Sequence, residues 1–376
     1  MLAVLSTAVV LASVGLTIHY NRAGQWSALY CHGTQQRMPS LILGEQPYRF
    51  EGFGFDGQYY HLIAHDPFFR RGFEQYVDDP GLRYRRGLLP VGANLLALGS
   101  DRWVHVTYPA LIFLCGAMGV YWLALLAAAA GRSSCWGLAF MLVPGVIASF
   151  DRMTPDIGLI ALMVAFLLAL HGRNERLLWF SLILAPLVRE TGVLPVIGTV
   201  LARSSSAGLQ RGCRYLLALA PALAWYVFVH AHVPPQHFER SAIPLSDIIG
   251  VLIQPRPYEG HAPLIAIVNQ WADAIAVLGT LWGFGLVLLR RRARDEAQMT
   301  GMLFVVMGIV LQRRDIWDHV FCFGRIYSPV LVLLLADGLL GYRRMSVALS
   351  PTLLTLPRVA TQLGSQMWGV VRGLLL

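Results

Sequence analysis

The sequence contains no lysine; all 30 of its Lys and Arg residues are arginine. Charge of any kind is scarce, at 14% against about a quarter in a soluble domain. There are only five cysteines in 376 residues. None forms a CxxC pair, so neither a disulfide framework nor a cysteine metal cluster follows. Internal repeats and low-complexity tracts are absent. No soluble module carries a basic stripe, which argues against nucleic acid as a partner. What remains is 56% hydrophobic with a mean hydropathy of +0.55, arranged in repeated apolar runs. At about 20 residues per span plus loops, roughly 8 to 11 membrane segments fit. The expected class is therefore all-α: a polytopic integral membrane protein forming one transmembrane domain over residues 1–376.

The runs read as helices over Leu2–Ile18, Val104–Ala130, Cys135–Ala148, Ile157–Leu170, Tyr215–Val229, Ile265–Leu289, Thr300–Leu311 and Val320–Leu340. The first lacks the basic flank of a signal peptide and reads as a helix. A weakly amphipathic tail closes the chain. Leu88–Gly99 is too short to cross: twelve helical residues rise about 18 Å against a core of about 30 Å. Leu177–Ala202 is interrupted by Pro186 and Arg189–Glu190. The expectation there is a hairpin of two half-helices turning near that pair.

Arginine placement suggests sidedness. The runs Arg290–Arg294, Gly172–Arg176, Ala202–Arg214 and Gly341–Arg344 mark the cytoplasmic side. Parity then places the loop over residues 20–86, Ser149–Asp156, Val233–Asp247 and Gln312–His319 outside. Net charge of +9 suits headgroups and cytoplasmic loops. A GC-rich genome would also yield an arginine-rich chain. Arginines at outer helix ends run against the usual trend and invite an anionic ligand. The planar guanidinium suits phosphate.

The first loop holds "GFDGQYYHLIAHDPFF" (Gly54–Phe69), dense in polar and aromatic groups. Asp56 lies between Gly54 and Gly57, which permit a tight turn and close approach. Its carboxylate could act as a general base, hold a divalent cation against a phosphate, or cap the following helix. "DRMTPD" places Asp151 and Asp156 around Pro155, where either function or capping fits. Arg189 and Glu190 inside an apolar segment are paired or functional. His61 and His65 can share a helix face, yet "HLIAH" without a third ligand is a weak zinc signal.

In sequence order, "FDGQYYHLIAHDP", "DDPGLRYRRGLLPVGANLLALG", "DRMTPDIGLIALMVAFLLAL", "LAPLVRETGVLPV" and "FGRIYSPVLVLLLADG" resemble the loops and helix starts of GT-C class membrane glycosyltransferases. The likeness extends to PIG-V-like mannosyltransferases and bacterial cell-surface glycopolymer formation proteins. It covers about residues 50–200, with a weaker echo at Phe323–Gly338. The resemblance implies a helical bundle with a long first outer loop, and Asp56 as general base with Asp156 as the second-loop acid. No Asp–Glu pair follows Asp56, which leaves the use of a divalent cation open.

On this reading a sugar passes from a polyprenyl-phosphate donor to a glycan or lipid-linked acceptor, at the outer face of a bacterial plasma membrane. Arg85, Arg86, Arg189, Arg313, Arg314 and Arg325 are candidates for the donor phosphate. Gln58, Tyr59, Tyr60, His61, Arg152 and Glu190 complete the expected substrate site. The rival readings are a lipid-linked glycan flippase, which would favour mid-membrane charges and inverted repeats, and a non-catalytic membrane subunit of a glycan-assembly machine.

Overall fold

The computed structural model describes residues 1–233, 243–258, 262–290, 295–310 and 313–375. His237, Gln312 and the arginine run beyond Arg290 lie outside the described residues. The chain is 78% helical, with no strand among the described residues. Its longer helices, in order, are α1 (Leu2–Asn21), α2 (Gly57–His65), α3 (Leu88–Leu96), α4 (Asp101–Ala129), α5 (Pro144–Arg152), α6 (Asp156–His171) and α7 (Glu175–Val188). There follow α8 (Val193–Ala207), α9 (Ala220–His232), α10 (Pro263–Leu288), α11 (Glu296–Val310), α12 (Val320–Leu339) and α13 (Met345–Leu375).

Among the described residues five helices are long and apolar enough to cross a membrane: α1, α4, α10, α12 and the stretch Leu209–His232. Helices α6 and α11 are apolar but shorter. Burial sorts them. The apolar window of α12 is 83% buried and that of α1 only 6%. An apolar helix left bare along its length is suited to lipid rather than water. Helix α6 is apolar all round, as a bundle's central helix should be, and nearly every residue of it is buried.

The expected straight helix over Cys135–Ala148 is instead a 3-10 segment, Ser134–Leu142, followed by α5 at a bend of 64°. Pro144 explains the break. It lacks an amide hydrogen and holds Val143 in an extended conformation, while suiting the first turn of the new helix.

The hairpin expected around Arg189–Glu190 is present. Arg203 near the end of α8 meets Glu175 at the start of α7 at 2.8 Å, so the two helices run in opposite directions. Arg203 also meets Glu296 at 2.7 Å, and Arg290 contacts Asp295 and Asp337 at 3.2 and 3.1 Å. These groups make a polar layer at one end of the bundle. Asp156 and Arg189 sit at the other end, separated from it by the 16 residues of α6, about 24 Å of helix. Helix α3 has nine residues, about 14 Å, and returns through a turn into α4 without crossing. The weakly amphipathic tail proves to be the 31-residue α13, packed along α10, α12 and α1.

Candidate active site

The first loop docks on the second through glycine. Gly54 has φ +72° and lies against the backbone of Cys31 and Gly33. A Cβ on Gly57 would collide with the Arg152 carbonyl. These close approaches place Asp56 beside the start of α6.

Asp56 occupies the N-cap position of α2, but its side chain makes no capping hydrogen bond. Its two oxygens face two guanidinium groups, Arg83 at 2.9 Å and Arg325 at 2.7 Å. From there the contacts run in a closed circuit. Arg325 reaches Asp156 at 3.5 Å, and Asp156 pairs with Arg189. Arg189 lies 3.8 Å from Glu190, and Glu190 takes a two-pronged bond from Arg86 at 2.7 and 2.9 Å. Arg86 and Arg83 both donate to the Tyr60 hydroxyl, at 2.8 and 3.3 Å, which closes the ring. Asp78 adds a further carboxylate on Arg83 at 2.8 Å. The members come from the first loop, the second loop, the hairpin turn and α12.

Burial of Asp56 opposes its ionisation, but the Arg83 and Arg325 charges beside it outweigh that and hold its carboxyl well below the usual range. A divalent cation on Asp56 would first have to displace an arginine.

Asp56 and Arg325 open onto a cavity of about 940 Å³. Four arginines (Arg152, Arg256, Arg325 and Arg358) line it against two aspartates, Asp56 and Asp315. Leu264, Ile265, Val268 and Trp368 also line it. The cavity lining thus combines cationic and apolar side chains. A second groove of about 370 Å³ runs between α1 and α13 past Val10, Val14, Leu363 and Met367 to Arg152, which lines both spaces. Arg152 stacks over Phe55 at 3.5 Å and pairs with Asp151 at 2.8 Å.

Of the residues expected from sequence, Asp56, Tyr60, Arg86, Asp156, Arg189, Glu190 and Arg325 share the ring, and Arg152 adjoins it. Others do not. Arg313 pairs with Asp315 at 2.5 Å, and Arg314 donates to the Gln254 carbonyl at 2.8 Å. Arg85 points elsewhere, over the Tyr226 ring at 5.9 Å. Gln58 is a buried loop staple: its amide accepts from Gly33 N at 3.1 Å and donates to the Phe53 carbonyl at 2.7 Å. His61 is buried under Tyr30, their rings stacked 3.6 Å apart, and faces other histidines rather than the cavity. Tyr59 bonds to Gln36 at 3.3 Å and lies under Arg83. Asp66, another acid of the first loop, accepts the backbone amides of Arg70, Arg71 and Phe73 and serves to fold the loop.

Sequence reasoning missed Arg83. The signal was in "LRYRRG": Arg83 and Arg86 are three apart and face the same way from a helical turn, whereas Arg85 does not. It also missed Asp273 within α10, which pairs with the buried Arg358 of α13 at 2.7 Å. An aspartate inside an apolar helix was the signal there. No family model, curated protein or solved structure matches this chain.

Proposed function

We propose that the protein is a GT-C type glycosyltransferase of the bacterial plasma membrane. It would move a sugar from a polyprenyl-phosphate donor to a glycan or lipid-linked acceptor on the outer face, in cell-surface glycopolymer formation. One observation carries the reading: the Asp56 carboxylate lines a large cavity that it shares with four arginines and several apolar side chains. That combination suits a phosphate at the end of a hydrocarbon chain, and the groove between α1 and α13 offers the chain an apolar path to Arg152.

In the transfer step the acceptor hydroxyl oxygen attacks the anomeric carbon and gives its proton to Asp56. The bond from that carbon to the phosphate oxygen breaks, and its electron pair leaves with the phosphate, which gains one negative charge. Arginines fixed around the leaving group stabilise the charge as it develops. Asp56 is a weak base while two guanidinium groups hold it. A donor phosphate gives Arg325 a second anion to bind, and a shift of that guanidinium toward the phosphate restores basicity to the carboxylate. Donor binding would thereby switch on the base.

The test is transfer of radiolabelled sugar from polyprenyl-phosphate donors by purified protein, wild type beside Asp56→Asn. Equal transfer by both would remove Asp56 from the chemistry. Donor bound and moved across vesicles without transfer would indicate the flippase reading. Neither binding nor transfer would indicate the non-catalytic subunit.

A further inference from the structure

Behind the arginine ring, on the far side of α2, four imidazoles gather. His61 and His65 lie one turn apart on α2, and His105 comes from the second turn of α4. His61 Nε2 is 2.9 Å from His105 Nδ1 and 3.1 Å from His65 Nε2. His61 and His65 are buried and His105 half-buried. His32 borders them, its ring centre 5.4 Å from that of His61.

The outer nitrogens of two of these rings are committed. His65 Nδ1 lies 2.7 Å from the Asp101 carboxylate, and His105 Nε2 3.1 Å from that of Glu45. An ionised carboxylate only accepts, so both of those nitrogens carry the hydrogen. Their inner nitrogens, His65 Nε2 and His105 Nδ1, then present lone pairs, and both aim at His61 Nε2. His61 can place at most one hydrogen between two acceptors. Its Nδ1 has no hydrogen-bond partner, and neither has either nitrogen of His32. Hydrogen bonding alone leaves this buried cluster short of protons.

We propose that His61, His65 and His105 form a binding site for a divalent transition-metal ion of the zinc class. A cation accepting three lone pairs satisfies every inner nitrogen at once, with His61 then carrying its hydrogen on Nδ1. Imidazole nitrogen is a preferred donor for Zn²⁺. Tetrahedral zinc with bonds of about 2.0–2.1 Å sets its ligand nitrogens about 3.3 Å apart; the two separations at His61 would open slightly, while all three ligand atoms already lie within 4.8 Å of one another. Asp101 and Glu45 stand where carboxylates orient metal-binding histidines, holding the tautomer and raising ring basicity. Arg71 anchors Asp101 in turn at 2.7 Å. The ion would clamp α2, which carries Asp56 at its start, to the long helix α4. It would act on the first loop's position and take no part at the arginine ring. The proposal stands independently of the glycosyltransferase reading.

The experiment uses the full chain purified in detergent without an affinity-tag metal. Elemental analysis should find about one zinc per chain. After chelator treatment, added ZnCl₂ should raise the melting temperature, and Co²⁺ should give the visible bands of a four-coordinate site with three imidazole nitrogens and a water. His65→Asn and His105→Asn should abolish both responses. Glu45→Gln, on a half-exposed side chain, should fold normally and weaken zinc binding about 10- to 100-fold, as loss of an outer-shell carboxylate does. Wild-type protein that neither retains zinc nor responds to Zn²⁺ or Co²⁺ would overturn the proposal. So would an undiminished response in both histidine variants. All these readouts are separate from sugar transfer, so a failed transfer assay leaves them interpretable.

Discussion

Asp56 of the first loop and Arg325 of α12 are ion-paired at 2.7 Å, and Asp156 of the second loop meets the same guanidinium at 3.5 Å. One arginine therefore links the two acids singled out as catalytic candidates. Its charge holds Asp56 ionised and also faces the cavity.

Asp56→Asn should express and fold, since the carboxylate supplies no helix cap. Sugar transfer should fall about 10²- to 10⁴-fold, the usual worth of a general base. Single-turnover rates with saturating donor are the measurement. A near wild-type rate would move the search for the base to Asp156.

Arg325→Ala should weaken donor-lipid binding about 10- to 100-fold, the contribution of one charge-assisted hydrogen bond. Arg313→Ala and Arg314→Ala should weaken it far less, because those side chains are bound to Asp315 and the Gln254 carbonyl rather than to the ring. Donor titration monitored by tryptophan fluorescence compares the three. Equal losses in all three would mean a diffuse electrostatic effect rather than a phosphate site.

The Asp56 ion pairs set a pH dependence. Its carboxyl is depressed in the folded protein relative to about 3.9 in an unfolded chain. The stabilisation is therefore present in full above about pH 4 and is lost as pH falls through the lower folded value. Melting temperatures of wild type and Asp56→Asn in detergent should differ by a constant amount between about pH 5 and 7. The gap should narrow only below about 4. A gap that closes near neutrality would contradict the double arginine pairing.

Arg358 and Asp273 form a buried pair between α13 and α10. Asp273→Leu alone leaves a buried guanidinium without its carboxylate and should cost about 3–5 kcal/mol. Arg358→Met in the same chain should restore most of the loss. Thermal unfolding of the two singles and the double closes the cycle. Additive losses would show that the two residues stabilise the helices separately.

The polar layers at the two ends of α6 should label from opposite sides of the membrane. In a background lacking the exposed Cys135, a cysteine at Asp78 should react with an impermeant maleimide in whole cells and one at Arg176 should not. The reverse pattern would invert the orientation and place the cavity in the cytoplasm.

The hairpin at Arg189–Glu190 was legible because a charged pair in an apolar run has few homes. The shortness of Leu88–Gly99 was legible by arithmetic on the helical rise. The bend before α5 was not legible from Pro144 alone, because Pro109, Pro329, Pro351 and Pro357 sit inside continuous helices of the same chain. The depth of α13 was not, because its weak amphipathicity does not name the helices it packs on.

The sequence by itself determined the helical class, the main apolar segments and the polar character of the first loop, since these depend on composition and local periodicity. It also marked most members of the ring as candidates, Arg189 and Glu190 because they stand inside an apolar segment and Asp56, Tyr60 and Arg86 because they crowd a polar first loop. Only the tertiary structure decided that Arg83 rather than Arg85 holds Asp56, that His61 turns away from the cavity, and that His105 joins His61 and His65. Those outcomes depend on which side chains distant segments bring within about 3 Å, where ion pairs and hydrogen bonds act. No local pattern carries that information.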